Sequence, residues 1–264
     1  NSADYIHLVT EVMRRAFADR AHFLGDPDFV DIPRETLLSA SYNNDRMDSF
    51  NWQKASSSQE IKHGKIPAFS ESSETTHFSV IDRNGNAVAV TTTLNGSFGS
   101  HVSVDGAGFV LNNEMDDFTA KPGEPNMFGL IQGEANAVEP GKRMLSSMSP
   151  AIVAKDGSVR MVLGAAGGPR IITATFMNFL NLAVFGMNAQ KAISAPRFHH
   201  QWMPDILYYE PFGISPDTQE LLRAKGHKLQ LRPTVGRGHI IHVDENGKIH
   251  GAADPRGDGT VEGY

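Results

Sequence analysis

Hydrophobic positions recur along the chain in two different periods. Ile6, Val9, Met13 and Phe17 stand three and four residues apart, as on one face of a helix, and Ser2 or Asp4 can accept from the free amides of a first turn. This predicts an amphipathic helix over residues 4–19. Beyond it, LGDPDFVDIP is rich in turn formers, RETLLSASYNNDRM fits a short helix, and QKASSSQEIKHGKIPAFSESSE is polar, Ser-rich and without period, which predicts a loop ending at Glu74.

From Thr75 the period drops to two. HFSVI and AVAVTTTL flank Asp82-Arg83-Asn84-Gly85-Asn86, where Asn-Gly supplies the positive φ angles of a tight hairpin. MSPAIVAKDGSVRMVLG predicts a second hairpin turning at Asp156-Gly157, and HIIHVDENGKIHGA a third turning at Asn246-Gly247. Three helices complete the pattern: residues 169–186, apolar nearly all round; 188–195, started by Asn188; and 215–226, with Ser215 as cap, Pro216 at the first helical position and Gly226 as terminator. A helix that is apolar on every side must be enclosed, so the hairpins and helices together predict a layered α+β fold.

Composition narrows the function by exclusion. The 264 residues carry a formal net charge of -6 with acids and bases interspersed, which gives no electrostatic footprint for nucleic acid or for an anionic membrane surface. There is no cysteine, so disulfide frameworks, thiolate metal sites and cysteine nucleophiles are excluded. The apolar stretch 171–187 is interrupted by Thr and Asn and is short for a bilayer span. The first residues lack the basic start and small-residue cleavage site of a signal peptide and look like mid-protein sequence.

Several motif readings fail on their own chemistry. GAAGGP (164–169) lacks the G-x-G-x-x-G order and the acidic partner of a dinucleotide site, and it has no P-loop lysine. His199 and His200 are adjacent, so on a regular element they point apart, and polar packing explains them better than a shared metal. DENGK and DPRGDG lack the loop length and distal glutamate of a calcium site. The G-x-S-x-G nucleophile elbow is absent.

Threonine and serine chemistry remains. In VTTTLNGSFGS (90–100), strand alternation puts Thr91, Thr93 and Asn95 on one face and Thr92 and Leu94 on the other, although strand propensity alone accounts for the threonines. NNEMDDF (112–118) gathers three carboxylates, and RMLSSMSP (143–150) offers two adjacent hydroxyls; solvated turns explain either equally well. The small residues of GAAGGP would let a ligand approach backbone amides. These residue types alone define no more than an anion or amino-acid site.

Taken together and in order, TTHFSV, TTTLN, NNEMDDF, KRMLSSMSP, GAAGGP and APRFHHQW resemble the gamma-glutamyltransferase family of N-terminal nucleophile hydrolases, from near residue 1 to the closing Gly-Tyr. The resemblance implies an α-β-β-α sandwich with antiparallel central sheets. It also implies a precursor that cleaves itself at Glu74-Thr75, so that residues 1–74 end a large subunit and 75–264 form the small, catalytic one. Thr75 would then be both nucleophile and, through its freed α-amine, base. Thr93 matches the threonine that orients the nucleophile, and Gly167 and Gly168 match the oxyanion-hole pair. Asn95, Glu114 and Asp117 match the groups on the substrate's α-amino end, and Ser146 and Ser147 those on its α-carboxylate. Glu114 stands where some members carry glutamine. PGEPNMFGLIQGEAN (122–136) matches a mobile lid, with Phe128 at the place of an aromatic gate, while Arg197 and Arg256 read as structural.

The implied reaction is γ-glutamyl transfer or hydrolysis on glutathione and related amides, with water or an amino acid or peptide as acceptor. It calls for no cofactor and no metal. Related enzymes act on poly-γ-glutamate or on glutaryl side chains of cephalosporins, which is the alternative substrate reading. The family's precursor has a long N-terminal portion, including a carboxylate-binding arginine, that this chain lacks, so a non-catalytic fragment that packs against its missing partner is a third reading, and an oligomer is expected from it. By resemblance the location is periplasmic or extracellular.

Overall fold

The computed structural model describes residues 1–64, 76–121, 124, 126–127, 130 and 133–263. In chain order its helices are α1 (Ala3–Phe23), α2 (Arg34–Leu38), α3 (Ala40–Met47), α4 (Arg170–Ala183), α5 (Ala189–Ser194) and α6 (Pro216–Ala224). Its strands are β1 (Thr76–Ile81), β2 (Ala87–Thr92), β3 (Ser103–Val104), β4 (Phe109–Val110), β5 (Ala151–Lys155), β6 (Ser158–Ala166), β7 (Phe198–His199), β8 (Leu207–Tyr209), β9 (Leu229–Leu231), β10 (Arg237–Val243) and β11 (Ile249–Ala253). They fall into two compact units: residues 1–72, 113–146 and 198–232, and residues 73–112, 147–197 and 233–264.

In the first unit α1 begins where Ser2 accepts from the Tyr5 amide at 3.2 Å and buries Ile6, Val9, Met13 and Phe17 as the spacing predicts. It differs from an amphipathic surface helix in that its polar side is buried too. Glu11, fully enclosed, takes Arg14 Nε at 3.1 Å and Arg15 Nη1 at 2.6 Å, and Arg14 reaches on to Asp205. The charges of Glu11, Arg14 and Arg15 are neutralised in place, which is what permits their burial. The segment read as one short helix is two, α2 and α3, broken at Ser39, whose hydroxyl caps α3 through the Tyr42 amide at 3.3 Å. β7, β8 and β9 form a small sheet in which β8 and β9 run parallel, with α6 between them in sequence. Ser215 holds the N-cap position of α6, and Gly226 follows the helix at φ 102°.

The second unit is built in layers. β6 lies inside an antiparallel four-stranded sheet of order β11-β10-β6-β5. Met161, Leu163 and Ala165 point to one face, where they pack with residues of α4 and α5. The intervening Gly164 lies on the other face, under His77 of the β1–β2 hairpin. The order is therefore helices, sheet, hairpin. The turn at Asp156-Gly157 has both residues at positive φ, 54° and 76°, as a two-residue hairpin of this twist requires. At the first and third hairpins only the glycine does so, Gly85 at 83° and Gly247 at 79°. There a longer connection is organised by the preceding Asp82 or Asp244, which accepts from the backbone amides two and four residues on.

α4 and the end of β2 depart from the pattern the sequence predicts. α4 is not enclosed all round: Phe176 is exposed, and so are Val184 and Phe185 just past its end. Its core-facing stripe of Ile171, Ala174 and Met177 suffices to hold it on the sheet. The alternation read through Thr91, Thr93 and Asn95 stops at Thr92, the last residue of β2, because Asn95 turns the chain at φ 70° and its amide donates to Thr93 Oγ1 at 2.8 Å.

Candidate active site

The described site residues are divided between the units. Thr93, Asn95, Ser147, Gly167 and Gly168 belong to the second; Glu114, Asp117 and Ser146 belong to the first. Thr75 and Phe128 lie outside the described residues, as does part of the segment read as a lid.

In the second unit the start of β1 is fixed by its ladder and by its packing. Thr76 pairs with Thr92 and His77 with Thr91. The His77 ring is buried, bonded through Nδ1 to Thr91 Oγ1 at 2.8 Å and through Nε2 to Ser79 Oγ at 3.0 Å. It occupies the space a Cβ would take on Gly164, so β1 begins above the closing stretch of β6. Burial, with the His239 ring stacked 6.4 Å away as a lesser cause, lowers the His77 pKa to about 4 and keeps it neutral. Directly after Thr92 comes Thr93, then Asn95, which is buried.

β6 ends in Ala166, and Gly167 and Gly168 follow at φ 130° and 70°, backbone that only glycine enters without strain. A Cβ on Gly167 would also stand 2.8 Å from the Gly236 Cα. Pro169 then caps α4, whose first turn is anchored by the Ile171 amide on the Gly168 carbonyl at 2.8 Å. The surrounding frame is held by Asp254, between Arg197 Nη1 at 2.8 Å and Arg256 Nη1 at 2.8 Å. Both arginines also bond to main-chain carbonyls at the end of α5, in keeping with the structural reading of the pair.

In the first unit Glu114 and Asp117 share one 3₁₀ turn, Glu114–Asp117. Asp117 is buried and Glu114 half-buried. Desolvation pushes the Glu114 carboxyl above its ordinary range, and the same cause outweighs a backbone contact from Met127 to raise Asp116. Ser146 is half-buried, and its carbonyl accepts from Arg20 Nη2 at 3.2 Å. Upstream, Arg143 clasps Asp26 through its backbone amide at 2.8 Å and its guanidinium Nε at 3.0 Å.

A cluster of His7, Glu11 and His227 brings three potential metal-ligand atoms within 4.8 Å in the first unit. His7 Nδ1 and His227 Nε2 are spent on each other at 2.7 Å, and His7 Nε2 on the Asn51 carbonyl at 2.8 Å. A divalent ion there would sit beside Arg14 and Arg15, so the cluster reads as a hydrogen-bond network. His199 and His200 pack separately, on Gln201 and Asp205.

The layered arrangement is the α+β fold of the N-terminal nucleophile hydrolases. The family model for Gamma-glutamyltranspeptidase matches residues 1–264, and the chain belongs to that family. It is 49% identical over 264 residues to the glutathione hydrolase proenzyme of Escherichia coli strain K12, an alignment that takes in 100% of this chain and 45% of that protein. A mutant gamma-glutamyltranspeptidase of Helicobacter pylori is 50% identical with a TM-score of 0.67, over 69% of this chain and 100% of that one. A cephalosporin acylase from Bacillus halodurans is 27% identical with a TM-score of 0.84, over 100% of this chain and 46% of its own. The chain thus spans a little under half the length of the curated relative. Among the described residues no helix is long and apolar enough to cross a membrane.

Gly236 was not visible as a site-related residue in the sequence, while Asn136 and Gly164 entered only as the last residue of the lid segment and the first of GAAGGP, with no role of their own. Each matters through a partner distant in the chain, and none stands in a spacing that announces it.

Proposed function

We propose that the whole protein to which this chain belongs hydrolyses or transfers the γ-glutamyl group of glutathione and related γ-glutamyl amides. Thr75 is the nucleophile, after self-cleavage at Glu74-Thr75 separates residues 1–74 from 75–264. The observation that carries this reading is the seating of His77 on Gly164. It sets the beginning of β1, the strand that directly follows Thr75, over the end of β6, which the Gly167-Gly168 pair follows. The pairing of Thr76 with Thr92 adds support, since Thr75 and Thr93 are the covalent neighbours of that pair.

The chemistry is two-step acyl transfer. The Thr75 hydroxyl gives its proton to its own α-amine as Oγ1 attacks the γ-carbonyl carbon, and the oxyanion is received by the Gly167 and Gly168 amides. Collapse breaks the amide bond, the proton passes to the leaving amine, and a γ-glutamyl ester remains on Thr75. Water or the amine of an amino acid or peptide then cleaves that ester. Thr93 orients the nucleophile, and Phe128 gates the site. Asn95, Glu114 and Asp117 receive the donor's α-ammonium, with Ser146 and Ser147 on its α-carboxylate. The raised Glu114 supports this assignment, because a desolvated carboxylate gains most from an arriving cation. A periplasmic or extracellular location and a partner large-subunit portion belong to the same reading.

The acylase relative makes glutaryl amides the competing substrate. Turnover of a γ-glutamyl anilide and of a glutaryl anilide by the full-length protein, with Thr75→Ala as control, tests the proposal. Preference for the γ-glutamyl compound, lost in Thr75→Ala, is expected; preference for the glutaryl compound overturns the substrate assignment.

A further inference from the structure

Asn136 is fully buried at the end of the turn Glu134–Asn136, and its side-chain amide works at both ends. Nδ2 donates to the Asp117 carbonyl at 2.5 Å, and Oδ1 accepts from the Leu145 amide at 2.9 Å. Its own carbonyl accepts from the Thr119 amide at 3.0 Å. One side chain therefore ties the turn carrying Glu114 and Asp117 to the residue that precedes Ser146. The chemistry of the partners fixes the amide's orientation, since a carbonyl can only accept and a backbone amide can only donate. Aspartate of the same size would keep the Leu145 contact but turn a carboxylate oxygen on the Asp117 carbonyl. Glutamine would push the two segments apart by a methylene.

We infer that Asn136 is a positioning residue for donor recognition. It sets the spacing between the carboxylates that take the α-ammonium and the serine hydroxyl that takes the α-carboxylate, so that only a free amino-acid end spans both. The inference rests on the γ-glutamyl reading above. Groups on the amino-acid end lie away from the bond that breaks and bind ground state and transition state alike, so their misplacement raises KM and leaves kcat nearly intact.

The test is steady-state kinetics of the full-length, matured protein on a γ-glutamyl anilide, wild type against Asn136→Ala and Asn136→Asp. Both variants are expected to raise the donor KM about tenfold, the scale of one lost buried hydrogen bond, with kcat within roughly threefold of wild type. The ratio of γ-glutamyl to glutaryl anilide turnover at low substrate should fall in parallel. If Asn136→Ala does not mature, the isosteric Asn136→Asp decides alone. An unchanged KM, a loss confined to kcat, or failure of both variants to fold overturns the positioning role. Wild-type protein inactive on the γ-glutamyl anilide overturns the donor reading itself and this inference with it, a result distinct from the others.

Discussion

The imidazole of His77 occupies the space above Gly164 where any other residue would place its Cβ. One contact thereby fixes how the hairpin that follows Thr75 rides on the central sheet. Gly164→Ala is expected to force the ring or the strand aside at a cost of about 1–3 kcal/mol, as overpacking in a filled core does. Calorimetry should show a melting temperature lower by several degrees, with part of the loss recovered in the Gly164→Ala, His77→Ala double variant. An unaltered melting temperature would mean that the ring is free to move.

Acid should loosen the fold before it titrates ordinary carboxylates. Burial lowers His77 to about 4, aided by His239, and lowers His227 to about 3, aided by the adjacent His7. The unfolded chain takes up protons at these positions below about pH 6.5, whereas the folded chain refuses them until about pH 4 and 3. The stability they secure is complete above pH 6.5 and is lost progressively as pH falls through that window. Denaturant titrations at pH 7 and pH 5 check this: the midpoint is expected to be lower at pH 5, and to depend less on pH in His227→Gln.

Asp254 is the shared acid of two arginines. Burial alone would raise its carboxyl, but Arg197 and Arg256 overcome this and hold it below the usual range. Asp254→Ala leaves Arg197 buried and without its counter-charge, and is expected to cost about 3–5 kcal/mol. Asp254→Asn, which keeps an acceptor, should cost less. Unfolding curves of the two variants measure the difference, and equal losses would argue against a charge effect.

How much of this was legible in the sequence depended on range. The turn at Asp156-Gly157 and the cap at Asn188, which accepts from the Lys191 amide at 2.9 Å, are decided by neighbouring residues and were readable. β7, β8 and β9 have two or three residues each, too few for a period, and exist through distant partners. On β1 the apolar Phe78 and Val80 face outward while His77 and Ser79 face the sheet, the reverse of ordinary alternation, because the inward polar groups satisfy each other and Thr91. The candidate site residues were found through ordered motifs that resemble a family. Their residue types alone suggested nothing sharper than an amino-acid pocket, and Asn136 was visible only as the last residue of the lid motif, not as a link between two segments.

Donor binding should weaken in mild acid. Desolvation raises Glu114, so its negative charge is lost at higher pH than an exposed carboxylate would lose its own, and on the proposed assignment the α-ammonium then loses a partner. The donor KM is expected to rise as pH falls toward that raised value. Glu114→Ala should raise KM about tenfold or more at neutral pH, the scale of a hydrogen bond to a charged group, and flatten the acid limb. A KM profile with the same acid limb in Glu114→Ala as in wild type would assign the titration to another group.

On the proposed function Thr75 becomes a free N-terminus and acts as the nucleophile. The most direct measurement is the intact mass of freshly made and incubated full-length protein, wild type and Thr75→Ala, each with its γ-glutamyl anilide activity. The wild type is expected to resolve into two polypeptides, one beginning at Thr75, as activity appears, while Thr75→Ala stays a single inactive chain. An uncleaved wild type with full activity, or an active Thr75→Ala, would contradict it.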